Sequence, residues 1–191
     1  MRKSRNSEFE IIKKIKGGDT SYFKLLVDKY KDVSFSLACS ILKNEQDAED
    51  ALQESYIKAF KGLRNFDSKS SFTTWFYIIV VNTCKTRYKN QKRNNQLINF
   101  DSYLKIEIIE NKTPFNEMDL QERKVLVNRV LETLKIDEAL LLRLFYLAEL
   151  NIVEIKKITG FKESKIKVTL LRARKSFKQN LEKMYGFEIT I

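Results

Sequence analysis

The sequence has no histidine, one proline, five glycines and two cysteines among its 191 residues. Without histidine it lacks the commonest general base and the commonest transition-metal ligand, which removes most hydrolase and metalloenzyme readings. So few helix breakers favour long helices over turn-rich β structure, and an all-α protein is expected. Cys39 and Cys84 lie in apolar, helix-patterned surroundings without metal-ligand spacing, and both read as small buried residues. No apolar run approaches the roughly eighteen residues of a membrane span. The charged start "MRKSRNSEFE" has no apolar segment behind it, so neither membrane insertion nor export is expected and the location reads as cytoplasmic.

What the chain does have is charge, unevenly placed. Lys and Arg number 36 against 25 Asp and Glu, a formal net charge of +11, which points to a polyanionic partner. Yet the stretch "NEQDAEDALQE" from Asn44 to Glu54 holds five carboxylates and no cation. On a helical wheel Asp47, Asp50, Glu54 and Lys58 fall on one side, and Ala48, Leu52, Tyr56, Ala59 and Leu63 on the other. Acids in a first helical turn complement the helix dipole, but five of them exceed that need. One exposed helical face offers a cation one or two ligands without enclosing it, so a docking surface for a basic protein fits better than a metal site, and no cofactor is expected.

Periodicity organises the rest. Residues 8–16 read as a short helix ending at Gly17-Gly18, followed by a long one that Asp19 or Thr20 caps, with Phe23, Leu26, Val27, Tyr30, Val33, Leu37, Ala38 and Ile41 on its apolar side. The acidic helix starts near Asp47 and stops at "RNFDSKSS". A third helix begins at Thr73 or Thr74, apolar first and then basic: Lys85, Arg87, Lys89, Lys92 and Arg93 follow without an acid between them. Residues 94–119 carry the single proline and no clear period and read as a linker between two helical domains, 1–93 and 120–191. Helical pattern resumes at Leu120, and the last section reads as helix, turn at Gly160, helix.

In that last helix Ile166, Leu170, Ala173, Phe177, Leu181 and Met184 form one apolar stripe. Between Lys162 and Lys183 eight basic residues stand against two acidic ones, a pattern that suits a recognition helix on duplex DNA. The basic end of the third helix follows a small-polar loop with Phe66, Phe72 and Trp75, and aromatics beside cations suit unpaired bases. Trp75 itself reads as core. A stand-alone helix-turn-helix regulator is the competing reading, and a membrane-surface protein is a third. The acidic face and the "SSFTTW" loop argue against the regulator, and the even division of charge between two separate segments argues against the membrane-surface protein. No nucleophile and base are paired, so the chain is not read as an enzyme.

These pieces resemble a bacterial sigma factor of the extracytoplasmic-function (ECF) group, the two-domain members of the sigma-70 family. "DAEDALQESYIKAFKGLRNFDSKSSFTTWFYIIVVNTCKTRYK" resembles that family's region 2: an acidic element, a phenylalanine and small-polar loop, then Thr74-Trp75-Phe76-Tyr77 and Asn82. "LETLKIDEALLLRLFYLAELNIVEIKKITGFKESKIKVTLLRARKSF" resembles region 4, ending at Arg172-Ala173-Arg174. The resemblance implies a region 2 bundle and a region 4 helix-turn-helix, which together bind core RNA polymerase and direct promoter recognition, DNA melting and transcription initiation. Asp47, Asp50, Gln53 and Glu54 would dock on the polymerase β′ clamp helices, and region 4 would meet the β flap. Phe66, Ser70, Ser71, Phe72, Asn82, Lys85 and Lys89 would hold the melted non-template strand of the minus-ten element. Lys162, Ser164, Lys165, Lys167, Val168, Arg172 and Lys175 would read the minus-thirty-five element as duplex. A separate anti-sigma factor is the further partner implied. The chain departs from the family pattern at Ile78, where many members carry arginine, at Thr86, where aspartate is usual, and at Lys165 and Thr169 in the last helix.

Overall fold

In the computed structural model, residues 2–95 and 118–186 are described, and among them every regular element is helical. Helix α1 (Arg2–Lys16) precedes α2 (Phe23–Leu42), α3 (Glu45–Gly62) and α4 (Phe72–Asn95). After the undescribed segment come α5 (Leu120–Glu132), α6 (Ile136–Leu142), α7 (Ile152–Thr159) and α8 (Glu163–Tyr185). The all-α expectation holds, and α1 starts earlier than its sequence pattern predicts. The expected linker, residues 94–119, lies outside the described residues except at its ends, where α4 finishes and Asp119 caps α5.

Local chemistry sets the helix ends. Asn44 accepts a hydrogen bond from the Asp47 N–H at the start of α3, and Ser71 accepts one from Thr74 N–H at 3.2 Å at the start of α4. Asp119 and Glu122, and again Asn151 and Glu154, form reciprocal capping boxes on α5 and α7. Gly160 ends α7 with φ of 74°, a left-handed conformation that makes the tight turn into α8. The run from Ile136 to Leu147 continues from α6 into a π-helical turn, Arg143–Leu147, that closes through the left-handed Glu149.

Helices α2, α3 and α4 pack on one another around an aromatic cluster. Phe76 lies 5.0 Å from Tyr56 and 5.8 Å from Phe72, and Tyr30 lies 5.4 Å from Phe72, each pair contributing roughly 0.5–1.5 kcal/mol beyond its area. Gly62 lets the Trp75 ring lie against α3: a Cβ there would meet the ring at 3.2 Å. The hydrophobic core does not stop at the end of α4. Leu140, Leu141, Leu144, Ile155 and Ile158 of the C-terminal half join the same buried cluster, with α7 against α4 and α6 against α2.

Polar contacts fasten the two halves. Arg143 is 1% exposed and its Nε donates to Ser36 Oγ at 2.6 Å, while burial pushes its guanidinium pKa down to about 10. Lys43, left-handed at the end of α2, donates to the Glu132 and Leu134 carbonyls where α5 ends. A smaller cluster of Met118, Leu126, Val130, Leu181, Met184 and Tyr185 joins α5 to α8.

Candidate functional site

Three surfaces carry the residues that sequence reasoning singled out. The first is the outer face of α3. Ala48, Ala51, Leu52, Ser55 and Ala59 are buried, so the opposite side of the helix faces outward with Asp50 and Gln53 exposed and Asp47 and Glu54 half-exposed. The carboxylates differ in their surroundings. Arg87 of α4 reaches across to Glu54 at 3.0 Å and to Asp50 at 3.7 Å, and Lys58 meets Glu54 at 2.7 Å. The hydrogen bonds from Lys58 and then Arg87 hold the Glu54 carboxyl below the ordinary glutamate range. Glu45, Asp47 and Glu49 have no ion pair among the described residues. The Arg87 contact was not legible in the sequence, because it depends on how α3 and α4 cross.

The second surface is the loop before α4. It borders a cleft of about 360 Å3, within the size range of ligand sites, lined by Phe66, Ser68, Lys69, Ser70, Ser71, Phe72 and Thr74. Phe66 and Phe72 are each 4% exposed, their rings packed against each other and Trp75 at 5.0 to 6.0 Å. They form the wall of the cleft and cannot sandwich a base between free faces. Ser70 and Ser71 are half-buried, and Ser71 Oγ lies 2.9 Å from Thr74 Oγ1 while capping α4. Farther along α4, Asn82 and Lys89 are exposed.

Other elements close on this cleft. Helix α1 supplies Glu8, Phe9 and Ile12, and α7 supplies Glu154 and Lys157. Lys16 Nζ donates to the Phe66 carbonyl at 2.6 Å, fastening α1 to the loop, and Thr74 Oγ1 donates to Glu154 at 3.5 Å. Sequence reasoning gave α1 no part in any site. Nothing in its own pattern shows which loop it will meet.

The third surface is α8. Ile166, Leu170, Ala173, Leu181 and Met184 are buried as the stripe predicts, and Lys162, Ser164, Lys165, Lys167, Val168, Arg172 and Lys175 are all exposed. Some of these cations already have partners: Lys165 with Asp137 at 2.9 Å, Lys167 with Glu163 at 2.6 Å. Lys162, Arg172 and Lys175 have none among the described residues. Leu171, 67% exposed, and Val168 stand on the outer side between them.

The second and third surfaces meet at one ring. Lys165 Nζ lies 3.4 Å from the centre of Phe161, and Lys85 Nζ lies 5.3 Å from it while donating to the Thr159 carbonyl at 2.9 Å. Burial and then the nearby Lys165 charge lower the Lys85 pKa, against the opposing pull of Asp137. Two cations read from sequence as serving separate DNA elements thus converge on the α7–α8 turn.

Comparison with known proteins covers nearly the whole chain. The family described as Sigma-70 region 2 matches residues 26–94. The chain is 30% identical over 183 residues to the ECF RNA polymerase sigma factor SigW of Bacillus subtilis, covering 89% of this chain and 94% of SigW. It is 30% identical over 180 residues to the ECF RNA polymerase sigma-E factor of Salmonella typhimurium, covering 90% of this chain and 93% of that one. Its fold matches the sigma factor RpoE of Bartonella quintana, solved with the anti-sigma factor NepR, with a TM-score of 0.65 at 20% identity over 84% of this chain and 96% of that chain. It also matches CnrH, solved with the cytosolic domain of CnrY, with a TM-score of 0.61 at 17% identity over 90% of this chain and 95% of that chain.

Proposed function

This chain belongs to the ECF group of the sigma-70 family of RNA polymerase sigma factors, and we propose that its three surfaces divide that work between core polymerase, melted promoter and duplex promoter. A sigma factor directs promoter recognition and transcription initiation, and it does so by binding. No catalytic step is assigned to any residue here.

The outer face of α3 is the core-polymerase surface, with Asp47, Asp50, Gln53 and Glu54 meeting the basic β′ clamp helices. What carries this reading is the local segregation of charge: in a chain of net charge +11, a run of five acids without a cation lies on one helix whose other side is buried core. A polyanion would be repelled there, and a basic protein surface would be attracted. The cleft beside the loop takes an unpaired base of the non-template minus-ten strand, with Ser70, Ser71, Phe66 and Phe72 shaping it and Asn82, Lys85 and Lys89 along the strand's path. Helix α8 enters the major groove of the minus-thirty-five element, its exposed Lys162, Arg172 and Lys175 on phosphates and Val168 beside base edges. The C-terminal half also meets the β flap.

Lys85 and Lys165 reach DNA only after leaving Phe161, and Glu154 and Lys157 border the cleft from α7. Promoter engagement therefore exchanges contacts between the halves for contacts with DNA. A separate anti-sigma protein, as RpoE has in NepR, would act on the same equilibrium by holding one arrangement of the halves.

The test is transcription in vitro with bacterial core polymerase, the purified chain and fragmented genomic DNA. Transcripts with discrete 5′ ends that require the chain are expected. Core polymerase giving the same products with and without it would refute the reading.

A further inference from the structure

We propose that α1 completes the base-binding cleft: the Phe9 ring stacks on the unpaired base, and the Glu8 carboxylate accepts a hydrogen bond from its exocyclic amine. The inference rests on the reading of this cleft as the minus-ten site and adds two residues to it. Residues 8 and 9 lie before the segment matched by the region 2 family, which begins at 26.

An unpaired base held by a protein needs a π surface and a polar edge partner. The two loop aromatics cannot supply a free π surface, because Phe66 and Phe72 are 4% exposed and packed into the aromatic core. The aromatic that borders the same cleft with its ring in solvent is Phe9, 56% exposed. Single exposed apolar side chains are ordinary on a protein surface; what singles out Phe9 is its place on the cleft, where the neighbouring groups favour a nucleotide. Lys157, exposed at the border of the cleft, supplies positive charge for the adjoining phosphates, and Lys69, also lining the cleft, pairs with Asp67 at 2.7 Å.

Glu8 supplies the edge partner. It lines the cleft yet is only 6% exposed, and its Oε1 accepts hydrogen bonds from Tyr30 Oη at 2.5 Å and from Lys29. Tyr30 Oη lies 2.8 Å from Thr73 Oγ1, so the carboxylate is fixed from α2 and, through the tyrosine, from the first turn of α4. Ionised, it is an acceptor only. Such a group favours a base with an exocyclic amine, cytosine, adenine or guanine, and disfavours thymine, whose N3–H is flanked by two carbonyls. A lysine at the rim with a carboxylate inside matches a nucleotide read phosphate outward and base inward.

The test uses the full chain assembled with core polymerase, with binding by core alone subtracted. The probes are fluorescein-labelled single-stranded dC12 and dT12. Wild type is expected to prefer dC12, and Phe9→Ala to bind both about tenfold more weakly with its thermal unfolding and core affinity unchanged. Glu8→Gln presents an amide NH2 to the cleft and is expected to narrow the dC12 preference about fivefold or reverse it. Should Phe9→Ala bind like wild type, or wild type favour dT12, α1 has no part in base binding while the proposed function stands. Failure of wild type to form the complex with core, or to add any single-strand affinity to it, would overturn both.

Discussion

Helices α3 and α8 are built alike and present opposite charge. Each buries one apolar stripe and displays ionised side chains on the other side, and each has some of those charges paired within the chain. On α3 the pairing is at the far end, where Glu54 and Asp50 meet Arg87 and Lys58, leaving Asp47 at the near end without an ion pair among the described residues. On α8 the first turns are paired through Glu163 and Asp137, and Lys178 farther along through Glu182, while Arg172 and Lys175 between them have no ion-pair partner among the described residues. Charges satisfied internally orient the helices against their neighbours. The unsatisfied ones carry the field that a partner meets, acidic on one helix and basic on the other.

If that division is right, removing the unpaired cations of α8 has the largest effect on DNA. Arg172→Ala combined with Lys175→Ala should weaken duplex promoter binding by about tenfold or more, and lower the slope of log affinity against log salt by about two. Titration at four salt concentrations measures both. An unaltered slope would move the duplex contact off this part of α8.

A smaller effect is expected where the two DNA-directed surfaces meet. Phe161→Ala removes the ring shared by Lys85 and Lys165, and the loss of about 1 kcal/mol should lower the melting temperature by about 2–4 °C. Core affinity should not change, since the ring belongs to the turn between α7 and α8 and not to the acidic face of α3. A Tm equal to that of wild type would mean that the cations gain nothing from the ring.

The smallest effect concerns the paired end of α3. Because the folded-state pKa of Glu54 is depressed, its pairing stabilises the fold above the unfolded value near pH 4.3. That stabilisation is lost as pH falls through the folded-state pKa. Glu54→Gln should therefore be slightly less stable than wild type at pH 6 and equal to it once the carboxyl of the wild type is protonated. Denaturation curves across pH 2.5 to 6 would show the difference closing; a constant difference would assign it to packing. The exposure of both partners keeps the effect small.

Each helix was legible in the sequence because an apolar stripe at helical spacing states which side is buried. The stripe of α8, except the partly buried Phe177, and the turn at Gly160 were readable, whereas α3 starts at Glu45 under an Asn44 cap, two residues before the start near Asp47 that its pattern suggested. What a stripe cannot state is which neighbour covers it. Phe66 and Phe72 looked available for stacking because aromatics in a small-polar loop often are, and the fold instead turns them into the core. Arg143 drew no reading from the sequence, and the packing of α6 on α2 encloses it against Ser36. The run around it is apolar on several sides because several neighbours contact it. Phe9 was overlooked for the converse reason: an exposed aromatic on a helix gains meaning only from the loop beside it.

The most direct measurement of the central claim is the affinity of core RNA polymerase for the wild-type chain and for the double reversal Asp47→Lys, Asp50→Lys. Both side chains lie on the outward face of α3, so the variant should keep its helical signal and its binding to duplex DNA. The account predicts nanomolar-to-micromolar binding by wild type and a loss of about a hundredfold in the reversal. Equal affinities of the two chains would contradict it, and would take the polymerase surface away from the acidic helix.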